Sequence, residues 1–168
     1  MLVPSRLMTA AGIVPLPIAA RAASLLFEQV LKSHPRLFDR LGDYRYLCFG
    51  FAPSDLAFEF VIRPAGGSIR TFRRGRAPEA DARISGPLLL MLGLAEGRLD
   101  GDAVFFARKL AVTGNMEAVL ALRNALDDSG IDLVKLAGDM SGPIRRPVMA
   151  TLSSIRRRAL KAEGARWN

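Results

Sequence analysis

One segment near the start of the chain limits what it can fold into. Between Ile18 and Ser33, just after Pro17, the only charged residues are Arg21, Glu28 and Lys32. On a helix these three residues fall on one narrow stripe, while leucine, phenylalanine, valine and alanine cover most of the remaining circumference. A helix of this kind must be buried in its own protein, buried in a partner, or laid on a membrane surface.

The residues before this helix admit a second interpretation. Met1 to Ala23 has the outline of a signal peptide: Arg6, an apolar stretch, and small residues at its end. However, Pro15 and Pro17 interrupt the stretch and the apolar pattern continues beyond it, so we favour a helix over export. The longest uncharged run here, Leu7–Ala20, has 14 residues, whereas a bilayer span needs about 20, and we expect no membrane span.

The composition argues against catalysis and metal binding. Half of the 168 residues are apolar, which suits one domain with a real core. A single cysteine, Cys48, and a single histidine, His34, exclude an internal disulfide, a cysteine-based zinc site and a multi-histidine metal site. No phosphate-binding glycine loop or nucleophile elbow is present, and the acidic pairs fall in predicted turns. We therefore expect neither enzyme activity nor a metal or cofactor.

The positive charge is concentrated in two places. The net charge is +8, but residues 63–83 hold six arginines against two acids, and residues 141–168 hold seven basic residues against one acid. Such patches attract anionic lipid headgroups or nucleic-acid phosphates, or they simply keep an apolar protein soluble. Only Phe72 and Trp167 stand near them to stack on bases, which disfavours a nucleic-acid-binding module.

Alternating and helical patterns predict an α+β fold. We expect a hairpin turn at Gly66-Gly67, with Asp81 and Arg83 facing outwards from a later strand. His34-Pro35 reads as a helix end, and Asn115 as a helix cap. The predicted strands are Tyr44–Phe51, Leu56–Ile62, Ser68–Arg73, Ala80–Ser85 and one through Leu110 and Val112; the predicted helices are Ile18–Ser33, Leu88–Ala95, Met116–Leu126 and a basic amphipathic helix from Pro147 to about Glu163.

Residues 81–126 resemble the sterol-carrier-protein type 2 (SCP2) lipid-binding domain. The resemblance rests on the strand ADARIS, an apolar helix ending at Glu96-Gly97, a polar turn, and the stretch VFFARKLAVTGNMEAVLALRNALD. Within that superfamily this stretch is similar to the UbiT-type accessory factors of ubiquinone biosynthesis. Asn115 stands where the family has an aspartate, and either residue caps a helix. The basic tail after residue 141 has no matching counterpart.

The resemblance implies an SCP2-like fold, namely a curved, mostly antiparallel five-stranded sheet covered by helices around an apolar tunnel. It also implies a non-catalytic protein that binds a polyprenylated ubiquinone precursor, or another isoprenoid or phospholipid. Such a protein would present its ligand to a U32-peptidase-like pair of hydroxylases in oxygen-independent ubiquinone biosynthesis. A cytoplasmic protein that associates peripherally with the anionic surface of the inner membrane fits this role, and apolar helices at both ends could form a homodimer.

These inferences translate into residues and boundaries. We divide the chain into an N-terminal helical segment (1–40), an SCP2-like domain (41–130) and a basic tail (131–168). From their pattern, the candidate cavity residues are Leu88, Leu89, Met91, Leu92, Phe105, Phe106, Val119 and Leu122. The candidate membrane-contact residues are Arg73, Arg74, Arg76, Arg156, Arg157 and Arg158. Our main hypothesis is a lipid-filled interior with no reactive group beside it. The alternative hypotheses are a nucleic-acid-binding module, a generic lipid carrier and a small enzyme acting within the cavity.

Overall fold

The computed structural model describes residues 15–95, 110–132 and 135–136. Helix α1 spans Leu16–Ser33, and a 3-10 helix spans Asp39–Tyr46. Strands β1 (Phe49–Pro53), β2 (Phe58–Arg63), β3 (Ser68–Arg73) and β4 (Ala82–Gly86) follow, with a short 3-10 turn at Pro64–Gly66. Helix α2 covers Leu88–Ala95, strand β5 covers Ala111–Gly114, and helix α3 covers Met116–Ser129.

The five strands form one sheet in the order β3-β2-β1-β4-β5. Every neighbouring pair is antiparallel except β1 and β4, which run parallel. The β2–β3 hairpin and the loop after it therefore fill the crossover between two adjacent parallel strands. This arrangement confirms the predicted α+β class and the mostly antiparallel five-stranded sheet.

One face of the sheet carries the core. Residues directly opposite one another in a ladder point to the same side, so Phe49 shares a face with Ile62 and Ala82, and Phe51 with Ile84. Buried residues of α2 and α3 pack against this face in one cluster. A second cluster joins Val30 of α1 to buried residues that follow α3, and Phe38 and Leu126 pack against both clusters.

The helix boundaries follow local chemistry. Helix α1 begins with a proline in its first turn and ends at Ser33, as the His34-Pro35 step predicts. The Asn115 side chain accepts a hydrogen bond from the Ala118 N–H at 2.9 Å, which confirms the predicted cap of α3. The cap of α2 comes from far away in sequence, because Asp55 Oδ1 accepts the Leu88 N–H at 2.9 Å.

The start of the predicted first strand is wrong. The aromatic run at residues 44–46 belongs to the 3-10 helix, and β1 begins only at Phe49. The Tyr44 hydroxyl donates to Glu117 of α3 at 2.8 Å, so this segment packs on a helix instead of extending the sheet. Leu56 lies in the turn after Pro53. Cys48, predicted to lie in a strand, stands just before β1 and is half-buried.

Strand β4 also begins later than predicted, because Asp81 has another role. Its carboxylate accepts the Cys48 N–H at 2.7 Å, and its carbonyl accepts the Asn115 N–H at 2.8 Å. Gly114 lies against the same carbonyl: a Cβ added there would stand 2.2 Å from the Asp81 oxygen, and φ is +84°. Only glycine allows β5 to end so close to the start of β4. The predicted helix from Pro147 to about Glu163 lies outside the described residues.

Candidate functional site

An apolar pocket of about 30 Å³ lies between the core face of the sheet and the two helices that cover it. Strands β1 and β4 contribute Phe51 and Ile84, and the other lining residues come from α2 (Met91, Leu94, Ala95) and α3 (Val119, Leu122, Arg123, Leu126). A volume of this size has room for about one or two water-sized particles. The described residues therefore enclose a small space lined almost entirely by hydrocarbon.

Three of the predicted cavity residues line this pocket: Met91, Val119 and Leu122. Leu88 and Leu92 are half-buried on α2 but do not line it. The side chain of Leu89 and all of Phe105 and Phe106 lie outside the described residues. The prediction rests on apolar runs along the chain, whereas tertiary packing decides which residues meet at the pocket. It therefore does not include the sheet residues Phe51 and Ile84 or the helix residues Leu94, Ala95, Arg123 and Leu126.

Arg123 is the one charged residue of this lining within the described part of the chain. Residues 119, 122, 123 and 126 follow one another at helical spacing and form one face of α3. A cation therefore stands where the pattern of the helix calls for an apolar residue. Its side chain is 19% exposed, and its Nε lies 3.5 Å from Asp127 Oδ2, one turn further along the helix. The helical spacing of the lining could have identified Arg123 from the sequence.

The arginine-rich loop after β3 is held against the opposite face of the sheet. Glu59, which is buried, accepts the Gly75 N–H at 3.2 Å and pairs with Arg83 Nη1 at 3.2 Å. Arg83 also donates to the Pro78 carbonyl at 3.2 Å. Arg83 was predicted to face outwards; it does point away from the core, but the loop covers it and its side chain is only 27% exposed.

The predicted membrane-contact residues in this loop have different surroundings. Arg74 donates to two main-chain carbonyls, those of Pro53 and Leu56, and so ties the loop to the end of β1. Arg73 and Arg76 are exposed. On β3, the exposed Arg70 lies over the ring of Phe72, 5.2 Å from its centroid. Arg156, Arg157 and Arg158 lie outside the described residues.

One titratable group has a clearly altered affinity for its proton. The hydrogen bond from the Tyr44 hydroxyl to Glu117, together with the negative charges of Glu117 and Asp43, raises the pKa of Tyr44 above its usual 10.0. Arg40 pairs with Asp128 further along α3. These contacts fasten the 3-10 helix to α3 and lie apart from the pocket lining.

The described residues hold no group of three or more histidine, cysteine, aspartate or glutamate side chains that could bind a metal. Among the same residues, no helix combines the length and the apolarity that a bilayer crossing demands.

Comparison with known proteins identifies the fold. The sequence model of the SCP-2 sterol transfer family matches residues 27–127. A solved structure described as a UbiJ-SCP2 ubiquinone synthesis protein superposes with a TM-score of 0.56 at 15% identity, over 71% of this chain and 98% of the other. No curated protein sequence matches the chain.

Other solved structures give lower scores. The sterol carrier protein domain 2 of Helicoverpa armigera has a TM-score of 0.46 at 18% identity, covering 70% of this chain and 86% of its own. The sterol carrier protein 2 of Yarrowia lipolytica, in its apo form, has a TM-score of 0.45 at 14% identity, covering 63% and 90%.

Proposed function

Because the chain belongs to the SCP-2 sterol transfer family, we propose that the pocket between the sheet, α2 and α3 is the closed form of a lipid-binding site. The observation that carries this proposal is the lining, which offers a ligand hydrocarbon from the sheet and from two helices. Arg123 is the charged residue among the described lining residues, and because arginine keeps its proton in proteins this lining suits binding better than acid–base catalysis. The protein then acts as a non-catalytic carrier.

A lipid tail requires more room than the closed pocket has. Sites for drug-sized ligands measure roughly 300–1,000 Å³, roughly ten to thirty times the 30 Å³ found here. In our proposal α2 and α3 separate as the tail enters. Met91 and Leu94 of α2 belong to the same apolar cluster as Val119 and Leu122 of α3. Packing of this kind is non-directional, and a hydrocarbon chain would replace it without breaking hydrogen bonds.

We propose a polyprenylated ubiquinone precursor as the ligand, with other isoprenoids or phospholipids as the wider class. The support is the resemblance of residues 103–127 to the ubiquinone-biosynthesis accessory factors and the SCP2 fold shared with a ubiquinone synthesis protein. Presentation of this ligand to a pair of U32-peptidase-like hydroxylases belongs to the same proposal. A tail of this kind gains about 25 cal/mol for each Å² of apolar area removed from water.

Docking to an anionic membrane completes the proposal, because a lipid carrier must collect its ligand from a bilayer. The exposed Arg70, Arg73 and Arg76 belong to one strand and the turn after it, where Glu59 and Arg74 hold the backbone in place. Each basic residue close to an anionic leaflet contributes about 1 kcal/mol. The tail arginines Arg156, Arg157 and Arg158 are proposed to add to this surface.

A nucleic-acid-binding module is the second candidate that the charge allows. Phe72, the aromatic residue beside these arginines, is half-buried and already in contact with Arg70, which leaves it poorly placed for stacking on a base. Binding to DNA or RNA that weakens steeply with salt, without binding to anionic vesicles, would favour this candidate.

Transfer of a prenylated quinone between donor and acceptor vesicles tests the proposed function. We expect the wild-type protein to accelerate transfer and Val119→Phe, which places a ring in the pocket, to abolish most of the acceleration. Leu120→Phe is the matched control, because Leu120 lies on the same helix and is 52% exposed. Thermal melting shows whether each variant folds, since overpacking costs about 1–3 kcal/mol. No transfer of any isoprenoid, sterol or acyl lipid by the folded wild type would overturn the proposal.

A further inference from the structure

Thr71 has a hydroxyl group that its surroundings leave unpaired. It lies on β3, an edge strand of the sheet, and its Oγ1 atom is buried. Among the residues that the structure describes, none forms a hydrogen bond with this atom. A buried hydroxyl without a partner is unfavourable, whereas valine has the same shape, suits a strand equally well and carries no polar atom. Packing of the strand therefore does not account for the hydroxyl group.

Thr71 faces the same side of the sheet as the pocket. Residues opposite one another in a ladder point to one face, and the register aligns one residue from each of four neighbouring strands: Ile84, Phe51, Phe60 and Thr71. Ile84 and Phe51 line the pocket. Neighbouring strands lie about 4.8 Å apart, so two steps across the sheet separate Thr71 from Phe51 by about 10 Å. The hydroxyl is therefore within reach of a lipid whose tail occupies the pocket.

Helix α1 packs at this end of the sheet. It contacts β3, and its Leu31 approaches the turn before that strand, where a Cβ added to Gly67 would stand 3.3 Å from Leu31 Cδ1. Leu126, which lines the pocket, also packs against the cluster that contains Val30 of α1. The part of the fold that contains Thr71 and α1 is therefore adjacent to the pocket between the sheet, α2 and α3.

We propose that Thr71 binds a hydroxyl group at the polar end of the lipid whose tail enters the pocket. This inference rests on the proposed lipid-binding function and adds the chemistry of the head. A threonine hydroxyl both donates and accepts, so it pairs with a second hydroxyl in either direction, and it has no charge with which to compensate a carboxylate or a phosphate. Thr71 therefore offsets the cost of taking the hydroxyl group of a prenyl alcohol or phenol out of water.

The position of Arg73 gives such a ligand an orientation. Thr71 and Arg73 are two residues apart on β3, so their side chains project from the same face, and Arg73 is exposed. Arg73 belongs to the surface that we propose docks on an anionic membrane. The polar end of the ligand would lie between the pocket and this surface, so that the tail is the deeper end and the hydroxyl group is nearer the bilayer.

Displacement of a fluorescent hydrocarbon from the full chain tests this inference. The probe is diphenylhexatriene, and the competitors are geranylgeraniol and the hydrocarbon that lacks only its hydroxyl group. We expect Thr71→Val to bind the alcohol about fivefold more weakly than wild type, because it loses one neutral hydrogen bond. Its affinities for the probe and for the hydrocarbon should match those of wild type, because neither compound has a polar group.

Two further variants provide the controls. Thr71→Ser keeps the hydroxyl group and should retain most of the affinity for the alcohol. Thr113→Val is the matched control, because Thr113 is exposed on β5, the other edge strand, and should not alter binding of either competitor.

Thermal melting without ligand separates binding from a structural role. Thr71→Val should melt at or above the wild-type temperature, since it removes a buried polar atom that no described residue compensates. A clearly lower melting temperature, or failure to fold, would mean that the hydroxyl group already has a partner in the unloaded chain and would overturn the inference.

The binding outcomes separate this inference from the proposed function. If the folded wild type binds neither diphenylhexatriene nor the two competitors, both fail together. If these compounds bind and Thr71→Val weakens the alcohol no more than the hydrocarbon, lipid binding stands and the role of Thr71 is refuted. The same conclusion follows if Thr71→Ser loses as much affinity for the alcohol as Thr71→Val does.

Discussion

The carboxylate of Glu59 lies 3.2 Å from the guanidinium of Arg83 on the face of the sheet opposite the core. The same carboxylate accepts the N–H of Gly75, so one buried acid joins strand β2, strand β4 and the arginine-rich loop. A surface that carries several arginines would otherwise repel itself. Glu59 supplies the negative charge around which the loop folds.

Glu59→Ala should loosen this loop. The substitution removes two hydrogen bonds and leaves Arg83 largely covered without its carboxylate, and we expect the free energy of unfolding to fall by about 1–3 kcal/mol. Trypsin should also cut faster after Arg76. Glu79→Ala, at an exposed acid of the same loop, is the control for the change in net charge. Equal proteolysis of the two variants would contradict the role given to Glu59.

Neighbouring arginines of the loop should separate stability from membrane binding. Arg74→Ala loses its bonds to the Pro53 and Leu56 carbonyls, so we expect a loss of about 1–2 kcal/mol in stability. The double variant Arg73→Gln/Arg76→Gln should melt like wild type but bind phosphatidylglycerol vesicles about 30-fold more weakly. Sedimentation with vesicles measures this, with phosphatidylcholine vesicles as the uncharged control. Unaltered sedimentation of the double variant would exclude these residues from the docking surface.

Gly114→Ala should be severely destabilising. A methyl group would overlap the Asp81 carbonyl at 2.2 Å, at a backbone angle that L residues avoid, and we expect a cost of about 3 kcal/mol or more. Gly130→Ala is the matched comparison: its φ is +59° but open space surrounds it, so the cost should be about 1 kcal/mol. Chemical denaturation of both variants measures the difference, and equal losses would show that β5 does not approach β4 so closely.

The stability provided by Tyr44 should depend on pH. Because Glu117 raises the pKa of Tyr44 in the folded chain, folding favours the protonated phenol. The stabilisation is fully present below the ordinary pKa of 10.0 and is lost as the pH rises through the raised value. Tyr44→Phe should therefore be less stable than wild type at pH 7 and approach it above pH 10. A stability gap between Tyr44→Phe and wild type that stays constant over this pH range would rule out the linkage.

The sequence predicts those parts of the fold whose signals are local. In Ser68–Arg73 apolar and polar residues alternate after a glycine turn, which predicts a strand, and Leu88–Ala95 follows a glycine-proline step that predicts the start of a helix. Asn115 has the side chain of a helix cap. The structure confirms all three predictions. The failures are at tertiary contacts. The run at residues 44–46 has the composition of a strand, but Tyr44 finds its partner on α3, and Asp81 leaves its predicted strand to hold Cys48 and Asn115.

The site was predicted less completely than the fold, for a related reason. Apolar residues on α2 and α3 identify one wall, which includes Met91 and Val119. The opposite wall, Phe51 and Ile84, comes from parallel strands separated by a hairpin and a loop, and no local pattern shows that these strands are adjacent. The prediction for Arg74 considered its charge alone, whereas the two carbonyls it contacts are visible only in three dimensions.

The small volume of the pocket bears on how a carrier could release what it holds. The described lining of this space of about 30 Å³ is almost entirely hydrocarbon and holds water poorly, so little solvent has to leave before a tail can enter. In the proposed carrier, loading exchanges contacts between the two helices for contacts with a tail, and unloading reverses that exchange between chemically similar states. The net free energy of the proposed exchange is then small in both directions, which is what a carrier requires if it is to take a lipid from one bilayer and release it at another without an external energy source.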